Sequence, residues 1–568
     1  MTEPIANDLT IVATGVIDGV QMAGATVLTL RAVTPPEPTP EPTPPPTTDK
    51  LRAVIDYEGR AYVFDEIAGE DLGVYREPGG RFSQGCVRVE HPDLTGLVVQ
   101  FRADPDGSRD EVVFELGDTT AGNVAANMAG YVATISRGPT TLAKLEVPQH
   151  YWYSRWRWQS APRPVCASLA ELIAEGLVPS YDETLASNRP RSPARTYSPM
   201  GLAGLTAYMP STGERDEIGL FTEAQAEYLC TADATSLGSM LAQAEASGTL
   251  TWHYRDEIGG GIFDFVTHPQ ATLYGTPTIP WCKSDIVLDV AHEPSLCFLP
   301  FLLTGDPYYL EEVQFAATYN VICNPPAARE KFCIGNAVRA HAWALRTLAQ
   351  ATTVTPDDVP CWLKPASYWK AWLDKERDWM LATFVNATAA PPIGDPFHFL
   401  VTCDGSPAGA MPAGCVVQTY MEDYEGAVLA WVVAAGHSDW MTILEWKMCN
   451  TLARTNGTSG WCRAKPVLYN TALRPAADAP YVETWADAWA LNEAMQSDTC
   501  AYDDENAIPP GDSLTYASYC NASLAIAATL GVEGAAECTE WLSGQIRANS
   551  KANKYIDRKW AITATATY

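Results

Sequence analysis

The sequence predicts a multidomain chain: a short β-rich anchor, a Pro-rich linker, a β-sandwich and then a large all-α domain of the (α/α)6 toroid type. Three observations predict it. A proline tract, TPPEPTPEPTPPPTTD (34–49), divides a small piece from a large one. Between it and residue 160, apolar residues alternate in short β-branched runs. From about residue 165 they repeat at helical spacing, and helix–turn–helix corners recur at irregular intervals.

Taken in order, residues 1–33 contain LTIVATGVIDGVQMAGATVLTLRAV, β-branched and punctuated by glycine, which reads as two or three strands. Alone it has too little core to be stable, so it is expected to dock on a larger partner or to trimerise. Residues 34–49 cannot form helix or central strand, because proline lacks the amide donor and fixes φ; an extended spacer follows. Within 50–160, LRAVIDYEGRAYVFDE, CVRVEHPDLTGLVVQFRAD, DEVVFELGD and GYVATISRG are bounded by turn formers, as in an antiparallel sandwich. The run HYWYSRWRWQS closes it. Its Trp152, Arg155, Trp156 and Trp158 suit a sugar-stacking platform or a weld between domains, and their place at a junction favours the weld.

Residues 161–568 carry nine segments of helical periodicity, from SLAELIAEGL to YASYCNASLAIAATLG. In AHEPSLCFLPFLLTGDPYYLEEVQFAATYN, Gly305 suits a left-handed C-terminal cap, and Asp306 and Pro307 suit the N-cap and first position of the next helix. Similar corners fall at Pro356, Gly436 and Gly531. Their spacing is too irregular for a solenoid and suits a closed ring of helix pairs.

Composition narrows the function. The 38 basic against 68 acidic residues give a net charge of -30, which disfavours nucleic acid and anionic membranes. No run approaches the ~20 apolar residues of a membrane helix, and MTEPIANDLT lacks the pattern of a signal peptide, so no membrane insertion is expected. The 15 cysteines show no metal-ligand spacing; no metal and no cofactor are expected, and Cys323 with Cys333 and Cys403 with Cys415 are the pairs close enough to bridge. Phosphate-binding glycine loops, a serine nucleophile elbow and HExxH are absent.

The segments AHEPSLCFLPFLLTGDPYYLEEVQFAATYN, RAHAWALRTLAQATTVTPDD, ASGTLTWHYRDEIGGG and YMEDYEGAVLAWVVAAGHSDW resemble parts of large proteins encoded in phage and prophage structural modules. Over residues 165–560 the helical part is similar to the six-hairpin toroid of polysaccharide lyases and glycoside hydrolases. The resemblance implies a virion surface protein and supplies no catalytic residue to carry over.

Four clusters are candidates for chemistry. His292 and Glu293 precede Pro294, which is expected in a first helical turn, and so stand at a helix entrance. Trp252, His253, Tyr254, Arg255, Asp256 and Glu257 form a dense polar-aromatic loop before three glycines, the best sugar-contact candidate of the four. Arg339, Trp343 and Arg346 share one helix face, suited to an acidic sugar or to ion pairs with Glu311 or Glu312. Tyr420, Glu422, Asp423, Tyr424 and Glu425 open a helix, where carboxylates also favour the dipole. A hydrolase needs two carboxylates, here Glu293 and Asp423; a uronate lyase needs a Tyr or His base and a partner for the sugar carboxylate.

The expectation is a phage attachment protein, made in the host cytoplasm and residing in the virion as tail fibre, spike or head appendage. It binds a host surface glycan, with or without cleaving it, and docks on other virion proteins through residues 1–33 as a possible homotrimer. The alternatives are a lyase or hydrolase outside a virion, and a purely structural component.

Overall fold

A computed structural model describes residues 9–17, 20–28 and 50–565, except 118–126, 212, 257–259, 275–285, 330–337, 388–396, 401–415, 477, 496–507, 509–511 and 550–555. The proline tract and Glu257 lie outside the described residues, as do Cys333, Cys403 and Cys415 and with them both proposed cysteine pairs.

In the small unit, β1 (Leu9–Ile17) and β2 (Val20–Leu28) pair antiparallel, with Leu9 opposite Leu28 and Ile17 opposite Val20. The expectation of strands in this segment holds for these residues.

The second β region comprises β3 (Leu51–Tyr57), β4 (Arg60–Asp65), β5 (Glu70–Arg76), β6 (Ser83–Glu90), β7 (Leu97–Ala103), β8 (Asp110–Leu116), β9 (Met128–Arg137), β10 (Thr140–His150) and β11 (Ser154–Gln159). They form two antiparallel sheets, ordered β10-β9-β3-β4 and β11-β8-β7-β6-β5. Side chains alternate between faces along each strand. One face of each sheet therefore supplies a shared core, with Ala53, Ile55, Phe64 and Ile135 from the first sheet and Val99, Phe101, Phe114 and Trp156 from the second. Trp156 stacks on Phe114 at 4.2 Å and donates its indole N–H to the Tyr131 hydroxyl at 2.7 Å.

The second face of the five-stranded sheet is unusual. It presents Gln100, Arg102, Glu111, Glu115, Arg155 and Arg157, all buried. These polar residues face protein, not water, because helices cover them.

Twelve α-helices follow among the described residues. They are α1 (Leu169–Ala174), α2 (Glu223–Thr231), α3 (Ala234–Ala246), α4 (Phe298–Thr304), α5 (Pro307–Ile322), α6 (Val338–Val354), α7 (Ala366–Met380), α8 (Thr419–Ala434), α9 (Met441–Thr455), α10 (Trp485–Met495), α11 (Asp512–Thr529) and α12 (Ala535–Ala548). The corner read from GDP is there: Gly305 caps α4 at φ +69°, and the Asp306 carboxylate accepts from the Tyr308 amide at 3.1 Å. Gly436 and Gly531 take left-handed φ at the ends of α8 and α11, and Pro356 lies between α6 and α7. Pro294 is a correction. It stands four residues ahead of α4, after a 3-10 turn at Val290–His292, so His292 and Glu293 belong to a turn and not to a helix entrance.

Packing separates two kinds of helix. Every residue of α5 is buried, and α8 is buried along nearly all its length. In contrast, α7, α9 and α12 bury one face each. The buried helices pack in succession, α5 on α6, α6 on α8 and α8 on α11, while α7, α9 and α12 back onto α6, α8 and α11. Residues near 560 return to the start of this region: β12 (Ser180–Tyr181) pairs with β13 (Ile562–Thr563), and Arg558 reaches Glu223 and Glu227 of α2 at 3.4 and 3.2 Å.

The sandwich and the helices are welded by α5. Glu311 accepts from Arg102 at 2.7 Å and Arg255 at 2.6 Å and also pairs with Arg155, which reaches Glu312 at 2.6 Å. Arg157 binds Asp306 at 2.9 Å and Glu245 at 2.6 Å. Burial would raise these carboxyls, yet the arginines hold Glu311 well below the carboxylate range, and His253 with Arg155 brings Glu312 down to about 2. The weld expected of HYWYSRWRWQS thus exists, but its arginines make it. Trp152 and Trp156 belong to the sandwich core.

Candidate functional site

The N-terminal halves of the buried helices α6, α8 and α11 lie together, and aromatic residues from all three meet there. Residues four apart lie on one helix face, which aligns Tyr420 with Tyr424 on α8 and Arg339 with Trp343 on α6. Trp343 meets Tyr424 at 5.1 Å, and Tyr424 meets Tyr519 of α11 at 5.0 Å and stacks on Trp560 at 5.0 Å. Tyr420 contacts Tyr516 at 5.7 Å and stacks on Tyr469 at 5.2 Å. Tyr469 is 49% exposed, so the aromatic cluster opens to solvent there. Tyr420, Tyr424 and Trp560 are buried beneath it, so the outer face of Tyr469 is the flat apolar surface on which a sugar ring can stack, with its hydroxyl at the edge.

A charged group adjoins the rings. Asp289 bonds the Nδ1 of His292. Burial alone would raise the Asp289 carboxyl, but this bond and the nearby Arg339 charge hold it below its ordinary range. A proton donated from Nδ1 leaves Nε2 as the acceptor nitrogen, which is the arrangement of an oriented general base. Nε2 is buried and has no hydrogen-bond partner, as is Nε of Arg339. Both residues approach Gly213: a Cβ placed there would lie 2.1 Å from Arg339 Nη1 and 3.4 Å from His292 Nε2. The Arg339 charge also reaches Tyr420 and Tyr424.

Beneath this group, Arg346 donates to the carbonyl oxygens of Gly219 and Glu293, at 2.5 and 3.0 Å. Its guanidinium lies 5.2 Å from the Trp343 ring. Glu293 is fully buried, and burial pushes its carboxyl up to about 8 against the opposing pull of Arg346, Asn320 and Thr347. At neutral pH it therefore holds its proton.

Seven of the nominated residues thus form one connected group: His292, Glu293, Arg339, Trp343, Arg346, Tyr420 and Tyr424. The others lie elsewhere. Asp423 is bound by Arg454 of α9 at 2.5 Å, Glu422 by Lys447, and Glu425 by His341 at 2.9 Å. Adjacent helical residues point about 100° apart, so Asp423 faces α9 while Tyr424 faces the rings. The acidic start of α8 therefore answers buried cations more than the helix dipole, and Asp423 is tied up in its own ion pair instead of facing Glu293 across a cleft. Arg339 and Arg346 do not pair with Glu311 or Glu312, whose oxygens the sandwich arginines, Arg255 and His253 occupy.

The loop from Trp252 to Asp256 is also displaced from its expected role. All five residues are buried. His253 bonds Glu312 at 2.9 Å, Arg255 binds Glu115 at 2.5 Å, and the Tyr254 hydroxyl donates to the Thr251 carbonyl. Trp252 packs on Tyr319, and Asp256 accepts from His268 at 3.4 Å. The density of polar groups serves the weld.

Sequence reasoning missed Gly213, Asp289, Tyr469, Tyr516, Tyr519 and Trp560. Only Asp289 carried a local signal, an acid three residues before His292 in DVAHEP. No family model, curated protein or solved structure matches this chain.

Proposed function

We propose that this chain is a phage virion attachment protein whose helical region is an (α/α) toroid, and that the tyrosine-lined mouth at the starts of α6, α8 and α11 binds an acidic host surface polysaccharide. The observation that carries the reading is the convergence, on one partly exposed aromatic cluster, of a guanidinium and an Asp-oriented imidazole. Stacking holds the sugar rings, and Arg339 neutralises a carboxylate. His292 Nε2 takes the proton from the carbon beside that carboxylate, the C–O bond from the next ring carbon to the adjoining sugar breaks as the C=C bond forms, and the departing oxygen takes a proton from water, so that elimination leaves one unsaturated sugar end and one hydroxyl end. The toroid is supported by the hairpins of α6–α7, α8–α9 and α11–α12 and by the return of β13 to β12. A two-carboxylate hydrolase finds less support, since Asp423 is held by Arg454.

The test is to incubate the full chain with polygalacturonate, alginate and hyaluronan, with dextran as the neutral control. Polymer size, reducing ends and unsaturated-uronate absorbance are followed together. Shortening of one acidic polymer with unsaturated ends, lost in His292→Ala, is expected. Shortening without unsaturation sinks the elimination step, and binding to dextran alone sinks the acidic ligand.

A further inference from the structure

A row of buried polar groups follows the seam between α5 and α6. Gln314 of α5 donates to the Thr355 hydroxyl just beyond the end of α6 at 3.1 Å, while Asn320, further along α5, shares Glu293 with Thr347. The two helices therefore run in opposite directions and meet along their length. The inner end of the seam is a cavity of 10 Å³, about the space that the centre of one water molecule needs. Trp252, Ser295, Ala316, Thr347 and Gln350 are among its walls. The Ser295 hydroxyl donates to Gln350 Oε1 at 2.9 Å, which leaves Gln350 Nε2, like the indole N–H of Trp252, buried without a partner.

The seam continues outward from this cavity. Asn320 lies one turn beyond Ala316 on α5, and Thr347 both lines the cavity and flanks Glu293. Glu293, Asn320 and Arg346 are fully buried. Neither oxygen of Glu293, neither amide atom of Asn320 and not the Nε of Arg346 meets a protein group in hydrogen-bonding geometry. At the outer end stands His292, the chain neighbour of Glu293, with its Nε2 in the same condition. Buried donors and acceptors are costly to leave unpaired, and internal water, which offers both, is what ordinarily satisfies them.

We propose that the seam is a water-binding passage, running from His292 past Glu293 and Asn320 to the cavity beside Trp252, and that Glu293 exchanges its carboxyl proton with solvent along it. A neutral carboxyl donates through its hydroxyl and accepts through its other oxygen, and water does both, so a proton is handed on while each heavy atom keeps its place. Only O–H bonds are made and broken, and no charge is left behind. Glu293 is thus in exchange with solvent although none of it is exposed.

The passage is tested by infrared spectroscopy of the full chain in mildly acidic buffer, where Glu293 carries its proton. The stretching band of its neutral carboxyl is isolated as the difference between wild type and Glu293→Gln. On mixing with deuterated buffer the band shifts as COOH becomes COOD. Hydrogen exchange of the α5 amides, followed by mass spectrometry on the same samples, times the opening of the buried helix itself. The band is expected to shift faster than those amides exchange by about 100-fold or more. Asn320→Leu removes the amide that holds water against Glu293 and keeps a similar volume; it is expected to slow the shift by about tenfold or more while α5 stays protected. A band that moves only as fast as the α5 amides overturns the passage, as does the lack of a carboxyl band or an unchanged rate in Asn320→Leu. The wild-type comparison decides by itself if that variant fails to fold. No glycan enters the experiment, so its outcome is separate from the polysaccharide reading.

Discussion

Glu311→Gln removes one negative charge from the centre of the weld with almost no change of shape. Glu311 is fully buried and serves Arg102, Arg155 and Arg255 at once. The substitution leaves those guanidiniums buried with their shared counter-charge gone, and breaking a buried pair from one side costs about 3–5 kcal/mol. Because three cations share the carboxylate, the loss is expected at the upper end of that range. Asp374 on α7, which binds Lys370 at 2.7 Å and Arg377 at 3.0 Å near the surface, is the control; Asp374→Asn should cost about 1 kcal/mol or less. Urea unfolding is followed by far-UV circular dichroism and by tryptophan fluorescence. Glu311→Gln should lower the midpoint strongly and separate the two signals, as sandwich and helices cease to unfold together. A loss below about 1 kcal/mol with coincident transitions would refute the claim that these ion pairs hold the two regions together.

Two further predictions concern the helical region. His341 on α6 bridges Glu376 of α7 at 2.5 Å and Glu425 of α8 at 2.9 Å; burial would lower its pKa, but the two carboxylates raise it to about 10. Because the folded value exceeds the unfolded one of about 6.5, the stabilisation is complete below pH ~6.5 and is lost as pH climbs towards ~10. Burial raises Glu376 to about 7, and the stability tied to its protonation is lost earlier, as pH rises from ~4.5 to ~7, largely outside the window of His341. Wild-type stability should therefore fall more steeply from pH 6.5 to 10 than that of the triple variant His341→Gln, Glu376→Gln, Glu425→Gln, and parallel curves would contradict this. Glycine gives a second contrast: a Cβ at Gly176 would lie 2.1 Å from the Ala434 carbonyl, whereas one at Gly436 would meet nothing within 4 Å. Gly436→Ala should cost about 1–2 kcal/mol, from φ alone, and Gly176→Ala clearly more; equal thermal shifts would show that the backbone around Ala434 yields freely.

The local grammar of the fold was legible in the sequence. Gly305, Asp306 and Pro307 announce a corner because capping depends on residues a few positions apart, and the structure has that corner. The same holds for β3, β4 and β7, whose alternating residues define a sandwich face. Less visible was the fate of polar residues. Along β8, nothing in the sequence marks Glu111 and Glu115 as buried, yet every residue of the strand is, since α5 covers that face and supplies partners for the arginines that neutralise them. Likewise, the crowding from Trp252 to Asp256 signalled a purpose but not which one. At the candidate site, His292, Arg339, Tyr420 and Tyr424 stood out by residue type and helix position. Tyr469, Tyr516 and Trp560 did not, because only the packing of α6, α8 and α11 brings them together.

The central claim is that Arg339 and the surrounding tyrosines form an acidic-glycan site, and affinity electrophoresis of wild type and Arg339→Ala tests it most directly. The gels contain polygalacturonate, alginate or hyaluronan, and urea midpoints confirm that both proteins are folded. The account predicts that one acidic polymer retards the wild type and that Arg339→Ala runs as in a polymer-free gel. Equal retardation of both proteins, or retardation of neither by all three polymers, would contradict it.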